Sequence, residues 1–152
     1  MIRIRTYKTY FDSIKTRITN IDTVFIVSHQ DQLANKIREV AAGEIILIVI
    51  VPSADTNAAD VNNIMENNTG IIYLLKKIDI TNMTDDLFVD EMEETQDIMT
   101  AIKTMMTDDA SDHQANHFMH YFEPNGMHTD PEYNYLGCNG WSLSFNIVNK
   151  GF

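Results

Sequence analysis

The chain has 152 residues, of which 44% are hydrophobic and 22% are charged, and its formal net charge is −11. This length is typical of one domain with a core of its own, so we interpret residues 1–152 as a single domain. The negative charge argues against binding to nucleic-acid phosphates or to anionic lipid. The single cysteine, Cys138, excludes an internal disulfide and a metal site of the CxxC type.

Membrane association is not expected from the sequence. The longest apolar run is far shorter than the roughly 18 residues of a membrane-spanning helix. Residues 1–5 resemble the start of a signal peptide, but no apolar core follows them. We therefore expect that the protein does not enter the secretory route.

The first third of the chain predicts two amphipathic helices separated by a short apolar run. Apolar residues recur at intervals of three and four from Ile4 to Ile18, which is typical of a helix over residues 3–20. Five of the eleven Lys and Arg residues of the chain lie on this helix, on a face that is either simply solvated or turned toward an acidic neighbour. Residues 23–27 are either an edge strand or a tight connector, and a second helix follows over 28–42.

The predicted sheet is organised around the seven apolar residues of 45–51, most of which are β-branched. A run this short, with no alternation between faces, is typical of a central strand covered on both sides. The strand is expected to end at Pro52-Ser53. The run from Gly70 to Lys77 predicts a second strand, which pairs antiparallel with the first because no crossover helix is predicted between them.

Between these two strands the composition changes to Ser, Ala, Asp, Asn and Thr, which predicts a polar hairpin loop over about 53–69. A loop of this length in a compact domain often carries contacts. We therefore predict that it protrudes and touches another subunit or a partner protein. The predicted contact residues are Asp55, Asn57, Asp60, Asn62, Asn67 and Asn68.

A long helix is predicted over residues 84–106, with Thr84 as its cap and apolar residues at intervals of three and four from Phe88 to Met106. The opposite face carries the carboxylates of Asp90, Glu91, Glu93, Glu94 and Asp97. Carboxylates this close together on one helix form either a solvated face or a cation site, and we predict the solvated face.

The last segment alternates between apolar and polar residues, which predicts a half-buried strand. Its inward residues are Trp141, Leu143, Phe145 and Ile147. The predicted elements follow the order α-α-β-β-α-β-β. The predicted fold class is therefore α+β, with helices packed on a mostly antiparallel sheet of about four strands.

His113, His117 and His120 have a spacing that could bring three imidazoles to one face of a helix. Asp112 and His128 are close enough in sequence to join them. However, the segment runs into a predicted strand, which would separate the histidines, and it has no HExxH glutamate. We expect no metal or other cofactor. The alternative that stays open is a small metal-binding protein or metal-dependent enzyme that uses these three histidines.

Catalytic chemistry is not predicted elsewhere in the chain. Cys138 has no histidine or basic residue beside it in the sequence to lower the pKa of its thiol, so we expect an inert thiol in a turn. The sequence also contains no Gly-rich phosphate loop, no GxSxG motif and no basic–aromatic nucleic-acid patch. We therefore predict that the protein is not an enzyme and has no catalytic residues.

Residues 130–145 have the sequence Asp-Pro-Glu-Tyr-Asn-Tyr-Leu-Gly-Cys-Asn-Gly-Trp-Ser-Leu-Ser-Phe. This segment resembles the C-terminal end of small tail-completion (tail terminator) and neck proteins of tailed bacteriophages, which often finish with a Gly-Trp pair that leads into an alternating strand. The predicted order of elements before it is similar as well. It comprises an N-terminal helix, an apolar strand hairpin with a long polar tip, an acidic helix and a last strand pair.

The resemblance implies a tail-terminator-like fold and a structural virion protein without catalysis. Such a protein forms a homo-oligomeric ring at the head–tail junction (neck) or tail end and joins head and tail during assembly in the host cytoplasm. The implied partners are copies of itself and other phage neck or tail proteins, and DNA passes through the lumen without specific binding. The predicted helix over 28–42 departs from the simplest pattern of this family, so a terminator ring and another neck ring both stay open.

The segregation of basic and acidic residues onto different helices suits the head-to-tail contacts of a ring. It also suits a third interpretation, in which the protein is a binding domain whose acidic face recruits a basic partner. The oligomeric state distinguishes these interpretations, because a ring-forming protein gives a discrete large species.

Overall fold

The computed structural model describes residues 2–28, 30–58, 64–112 and 119–150. These parts of the chain contain three helices and five strands, with two short 3₁₀ turns at Ile80–Asn82 and Met119–Tyr121. The elements are α1 Ile4–Arg17, β1 Thr23–Val27, α2 Gln30–Arg38, β2 Ile45–Ala58, β3 Ile64–Lys77, α3 Asp85–Ser111, β4 Phe122–Glu132 and β5 Cys138–Lys150. None of the helices in these ranges combines the length and apolarity needed to cross a membrane.

The strands form one mixed sheet in the order β1-β2-β3-β5-β4. β1 runs parallel to β2, and the three other pairings are antiparallel. The predicted α+β class is confirmed, but the sheet has five strands instead of about four because Thr23–Val27 is an edge strand. The chain between β1 and β2 includes α2, and this crossover makes the parallel pairing feasible. β3, and not β2, is the middle strand of the sheet.

β2 is buried on both faces over its apolar run, as its sequence predicts. Ile45, Leu47 and Val49 belong to the larger hydrophobic cluster, which includes residues of α1 and α3. Ile46 and Ile48 belong to a smaller cluster, which includes residues of α2. Burying a side chain of this size contributes about 1.5–3 kcal/mol relative to leaving it exposed. This half of β2 therefore joins the two helix layers through the sheet.

α1 and α3 cover the same face of the sheet and contact each other at Asp109. The carboxylate of Asp109 accepts hydrogen bonds from the Tyr10 hydroxyl at 3.0 Å and from the Arg17 guanidinium at 2.6 Å. The hydrogen bond to Asp109 is the largest cause of the raised pKa of Arg17. α3 extends beyond its predicted end to Ser111. Ile4, which was predicted for the apolar stripe of the first helix, is 55% exposed.

β5 has the orientation that its alternation predicts. The fully buried inward residues are Leu143, Phe145 and Ile147. Trp141 packs against the same cluster but is only partly buried. Gly140 passes very close to β3, since a Cβ atom at this position would lie 2.1 Å from the carbonyl oxygen of Leu74. The Gly-Trp pair therefore joins β5 closely to the middle of the fold.

The acidic side of α3 is solvated, as predicted, with one correction. The exposed carboxylates are those of Asp90, Glu93, Glu94 and Asp97. Glu91 is only 7% exposed, and its Oε2 atom has no hydrogen-bond partner in the described part of the chain. The helical period explains the difference, because Glu91 is one turn before the buried Thr95.

Candidate subunit-contact surface

The segment predicted as a polar loop, about 53–69, is mostly β-strand. β2 and β3 stay paired through it as far as Ala58 and Ile64. Pro52 does not end β2, because the pairing shifts register at this point and accommodates the proline. The prediction of a loop was wrong for these residues, since pairing with β3 overrides the turn preference of Asp, Asn and Ser.

Residues 53–58, 64–69 and 146–150 form an extension of the sheet beyond β1, which we call the arm, and the start of β4 pairs with its last strand at Asn146 and Ile147. β1 pairs with β2 only from Ile46 to Ile50, before the arm begins. Within the described chain, residues 53–58 therefore have ladder partners on one side only. A strand edge of this kind can pair with a strand of another chain.

The arm contains several of the predicted contact residues. Asp55 and Asn57 are exposed on its outer strand. Asn67 is half-buried and pairs opposite Asp55 in the ladder. Asp60 and Asn62 lie outside the described residues. The structure therefore brings three of these residues together on or beside the open edge.

Asn68 is buried, unlike Asp55, Asn57 and Asn67. It is only 1% exposed. Its Oδ1 accepts a hydrogen bond from the backbone N–H of Ile2 at 3.4 Å, and its Nδ2 donates to the carbonyl of Ile147 at 3.2 Å. The Asn68 side chain thus ties the start of α1 to two strands of the arm, inside the subunit.

One face of the arm is polar and half-exposed. The hydrophobic cluster under α2 ends at the partly buried Ile50 and Tyr73. Farther along the same face, Thr69 and Asn146 are hydrogen-bonded to each other at 3.2 Å and are both partly accessible. A surface of this kind can hydrogen-bond to a partner or to water, and polar, hydrated contacts are common in protein interfaces.

Apart from the arm, the structure has a concave surface between the start of α3 and the turn that joins β4 to β5. We call this surface the cleft. Its volume is about 330 Å³. The lining residues are Ile78, Met83, Thr84, Asp85, Phe88, Tyr133, Asn134 and Asn139. Tyr133 is 73% exposed and packs edge-to-face on Phe88, with ring centroids 5.5 Å apart. The Thr84 hydroxyl caps α3 by accepting from the Leu87 N–H at 3.2 Å.

Asn139 gives the cleft a buried polar group. Its side chain is 0% exposed, and its Oδ1 accepts from the Asn134 N–H at 2.9 Å. Its Nδ2 has no hydrogen-bond partner in the described part of the chain. The turn depends on left-handed backbone at Asn134 and Leu136, with φ of 49° and 53°. Sequence reasoning missed the cleft, because nothing in the local pattern indicates that this turn folds against α3.

The structure describes only some of the histidines that were predicted to cluster. His113 and His117 lie outside the described residues, and His120 is partly buried in a 3₁₀ turn. His128 is exposed, with its Nε2 3.1 Å from a carboxylate oxygen of Asp130. The described ranges contain no group of three side chains that could hold a metal ion.

Cys138 is buried, and burial raises the pKa of its thiol to about 11. Lys77 opposes this shift, although the sequence around the cysteine predicted no basic neighbour. The effect of burial is the larger of the two, so the thiol stays protonated at neutral pH. A protonated, inaccessible thiol is a poor nucleophile.

No model of a known protein family matches the chain, and no curated protein matches it in sequence.

Proposed function

We propose that this protein is a structural, non-catalytic subunit of a homo-oligomeric ring at the neck or tail end of a tailed bacteriophage particle. There it would join head and tail during assembly. We infer the ring from the open edge of the arm. We infer the phage setting from the resemblance of residues 130–145 to tail-completion and neck proteins.

The observation that carries the ring is the open edge of the arm at residues 53–58. These residues pair with β3 on one side and have no ladder partner on the other within the described chain. Soluble proteins usually shorten, cover or charge such edges, because an open edge invites pairing with another chain. Contact with a neighbouring subunit would cover the edge, and a closed ring would cover it in every subunit alike.

The charge of the subunit supports the passage of DNA through such a ring. Each copy carries a formal net charge of −11, so a ring of several copies is strongly negative overall. A strongly negative ring repels phosphates, so DNA would pass without specific binding. Other neck or tail proteins would bind the two ends of the ring, and the protein would be found in the virion after assembly in the host cytoplasm.

The first test is the oligomeric state of the purified protein. We expect a single large species of defined mass by light scattering coupled to gel filtration, with ring-shaped particles by negative-stain electron microscopy. Thr56→Lys combined with Asn57→Lys should give a folded monomer, since lysines on an edge strand oppose pairing. Both side chains are exposed, so the circular dichroism spectrum and melting temperature should stay close to those of the wild type.

Thr100→Lys combined with Thr104→Lys is the matched control. Both threonines are exposed on α3, outside the residues that form the arm, and the change in charge is the same. This variant should assemble like the wild type. A wild-type protein that stays monomeric at high concentration would remove the ring from the proposal. The phage setting has a separate test, since genes for portal, capsid and tail proteins should lie beside the gene for this chain.

A further inference from the structure

The cleft has the features of a protein-binding surface. Phe88 and Tyr133 form an aromatic wall, and Tyr133 is 73% exposed to solvent. The buried Nδ2 of Asn139 has no acceptor in the described chain. A buried donor without a partner is destabilising, so an incoming acceptor would be favoured here. The cleft therefore suits an apolar side chain carried by a segment that brings a hydrogen-bond acceptor.

The rim of the cleft is negatively charged. Asp85 lines the cleft, and Asp86 follows it on α3. Both are exposed, and neither forms an ion pair within the described ranges. Leu87 and Val89, on the same turn of the helix, are 40% and 50% exposed. The surface thus combines apolar side chains with unpaired carboxylates, and a complementary partner is apolar with basic flanks.

The first turn of α1 has this complementary character. Ile4 is 55% exposed, although its residue type is usually buried. Arg3 and Arg5 flank it, and both are exposed without an ion-pair partner in the part of the chain that the structure describes. An exposed isoleucine between two unpaired arginines matches the cleft in polarity and in charge.

The two surfaces lie at opposite ends of the sheet. The start of α1 is held at the arm, because the Ile2 N–H donates to Asn68, which is paired with Ile147. Asn139 of the cleft is paired with Lys76, eight residues earlier on β5 than Ile147. At about 3.4 Å per residue, this separation is roughly 27 Å. The two surfaces therefore cannot meet within one copy, and a contact between them would join two copies head to tail.

We propose that residues 3–5 of one copy bind the cleft of a second copy. Ile4 packs beside Phe88 and Tyr133, and the two arginines face Asp85 and Asp86. A main-chain carbonyl of the incoming segment accepts the hydrogen bond from Asn139. This inference rests on the proposed function, since it adds a second contact between neighbouring subunits of the ring to the one at the open edge of the arm.

A charge exchange tests the contact. Arg5→Glu and Asp86→Arg should each weaken assembly, with an apparent dissociation constant raised roughly tenfold by analytical ultracentrifugation, as expected for a close interfacial charge pair. The two changes combined in one chain should restore most of the affinity. Arg38→Glu is the matched control, because Arg38 is exposed on α2 and its change in charge equals that of Arg5→Glu. Equal weakening by the control, or no rescue in the double variant, would overturn the proposal.

Cross-linking tests this contact independently of whether the protein forms a ring. A chain carrying both Thr6→Cys and Leu136→Cys, two exposed positions beside the proposed contact, should form a ladder of multimers with a short bismaleimide, while each single variant should not. The buried Cys138 is common to all variants, so the wild type measures the background. Rings without the ladder would overturn the contact and leave the proposed function standing. Cross-linked dimers without rings would support the contact and contradict the ring, and an uncross-linked monomer would contradict both.

Discussion

The indole N–H of Trp141 donates a hydrogen bond to the carbonyl of Met92 at 3.0 Å, which joins β5 directly to α3. Met92 lies within the helix, where its carbonyl also faces the helical ladder. One side chain therefore fixes the position of α3 along the last strand. The cleft depends on the same relationship, because it is formed where the beginning of α3 meets the turn before β5.

Trp141→Ala should lower the free energy of unfolding by about 3 kcal/mol, the low end for large aromatic truncations, because the side chain is only partly buried. Trp141→Phe keeps most of the apolar contact and removes the donor, so it should cost about 1 kcal/mol. Urea denaturation followed by circular dichroism measures both. If the two variants lose the same stability, the apolar packing of the indole contributes nothing beyond its hydrogen bond.

Gly140→Ala should prevent stable folding, because the new methyl group would lie 2.1 Å from a backbone oxygen of β3. Neither strand can move without breaking the ladder, so the cost should exceed about 3 kcal/mol, above the usual range for overpacking. Gly126→Ala is the matched control, since the nearest atom to its added Cβ is 3.4 Å away. The yield of soluble protein and the thermal melting curve compare the two variants. A soluble Gly140→Ala protein with a normal melting temperature would show that β5 can shift away from β3.

Asn68→Ala should lower the free energy of unfolding by about 1–3 kcal/mol, because it leaves the buried carbonyl of Ile147 without the amide donor. Asn67→Ala is the natural comparison on the neighbouring residue. The buried Oδ1 of Asn67 has no partner in the described chain, so its removal should change stability by no more than about 0.5 kcal/mol. Guanidinium denaturation at neutral pH measures both values. The reverse order would show that Asn68 does not hold the arm.

The thiol of Cys138 should make stability fall at alkaline pH. Its pKa is raised to about 11 in the folded protein from an ordinary value of 9.0. The stabilising effect is complete below pH 9, because the thiol is then protonated in both states. Between pH 9 and pH 11 only the unfolded state releases the proton, so the folded state loses up to about 1.4 kcal/mol per pH unit.

The measurement for Cys138 is the free energy of unfolding at several pH values from 7 to 10.5, in the wild type and in Cys138→Ala. Buried tyrosines such as Tyr7 also have a raised pKa, and they contribute equally to both proteins. The difference between the two curves isolates the cysteine. Parallel curves across the whole range would show that the thiol ionises as easily in the folded protein as in the unfolded one.

Local sequence patterns predicted those parts of the fold that depend mainly on residues close together in the chain. The apolar run of β2, the alternation of β5 and the cap at Thr84 each depend on a few neighbouring residues, and each is found as predicted. The parallel pairing of β1 was not predicted, because five residues carry little pattern and their partner lies beyond α2. The arm was missed for a related reason, since pairing with β3 and β5 overrides its turn-forming composition.

The candidate site shows the same limit. Asp55 and Asn57 were predicted as contact residues from composition alone, and their exposure on an open edge is consistent with that role. The burial of Asn68 could not be predicted, because it depends on hydrogen bonds to residues far away in the chain. The cleft depends on positive φ angles at Asn134 and Leu136, which are unusual for leucine in particular.

The pairing of β3 with β5 has a consequence for how the protein is made. It joins Lys77 to Cys138 and Met65 to Lys150, so every contact closes a long stretch of chain. Contacts of such high sequence separation slow folding. While the ribosome is still making the chain, β3 has β2 on one side and nothing on the other until residues 138–150 emerge. The nascent protein therefore exposes one edge of its central strand until these residues are made, and this interval is when aggregation competes most strongly with folding.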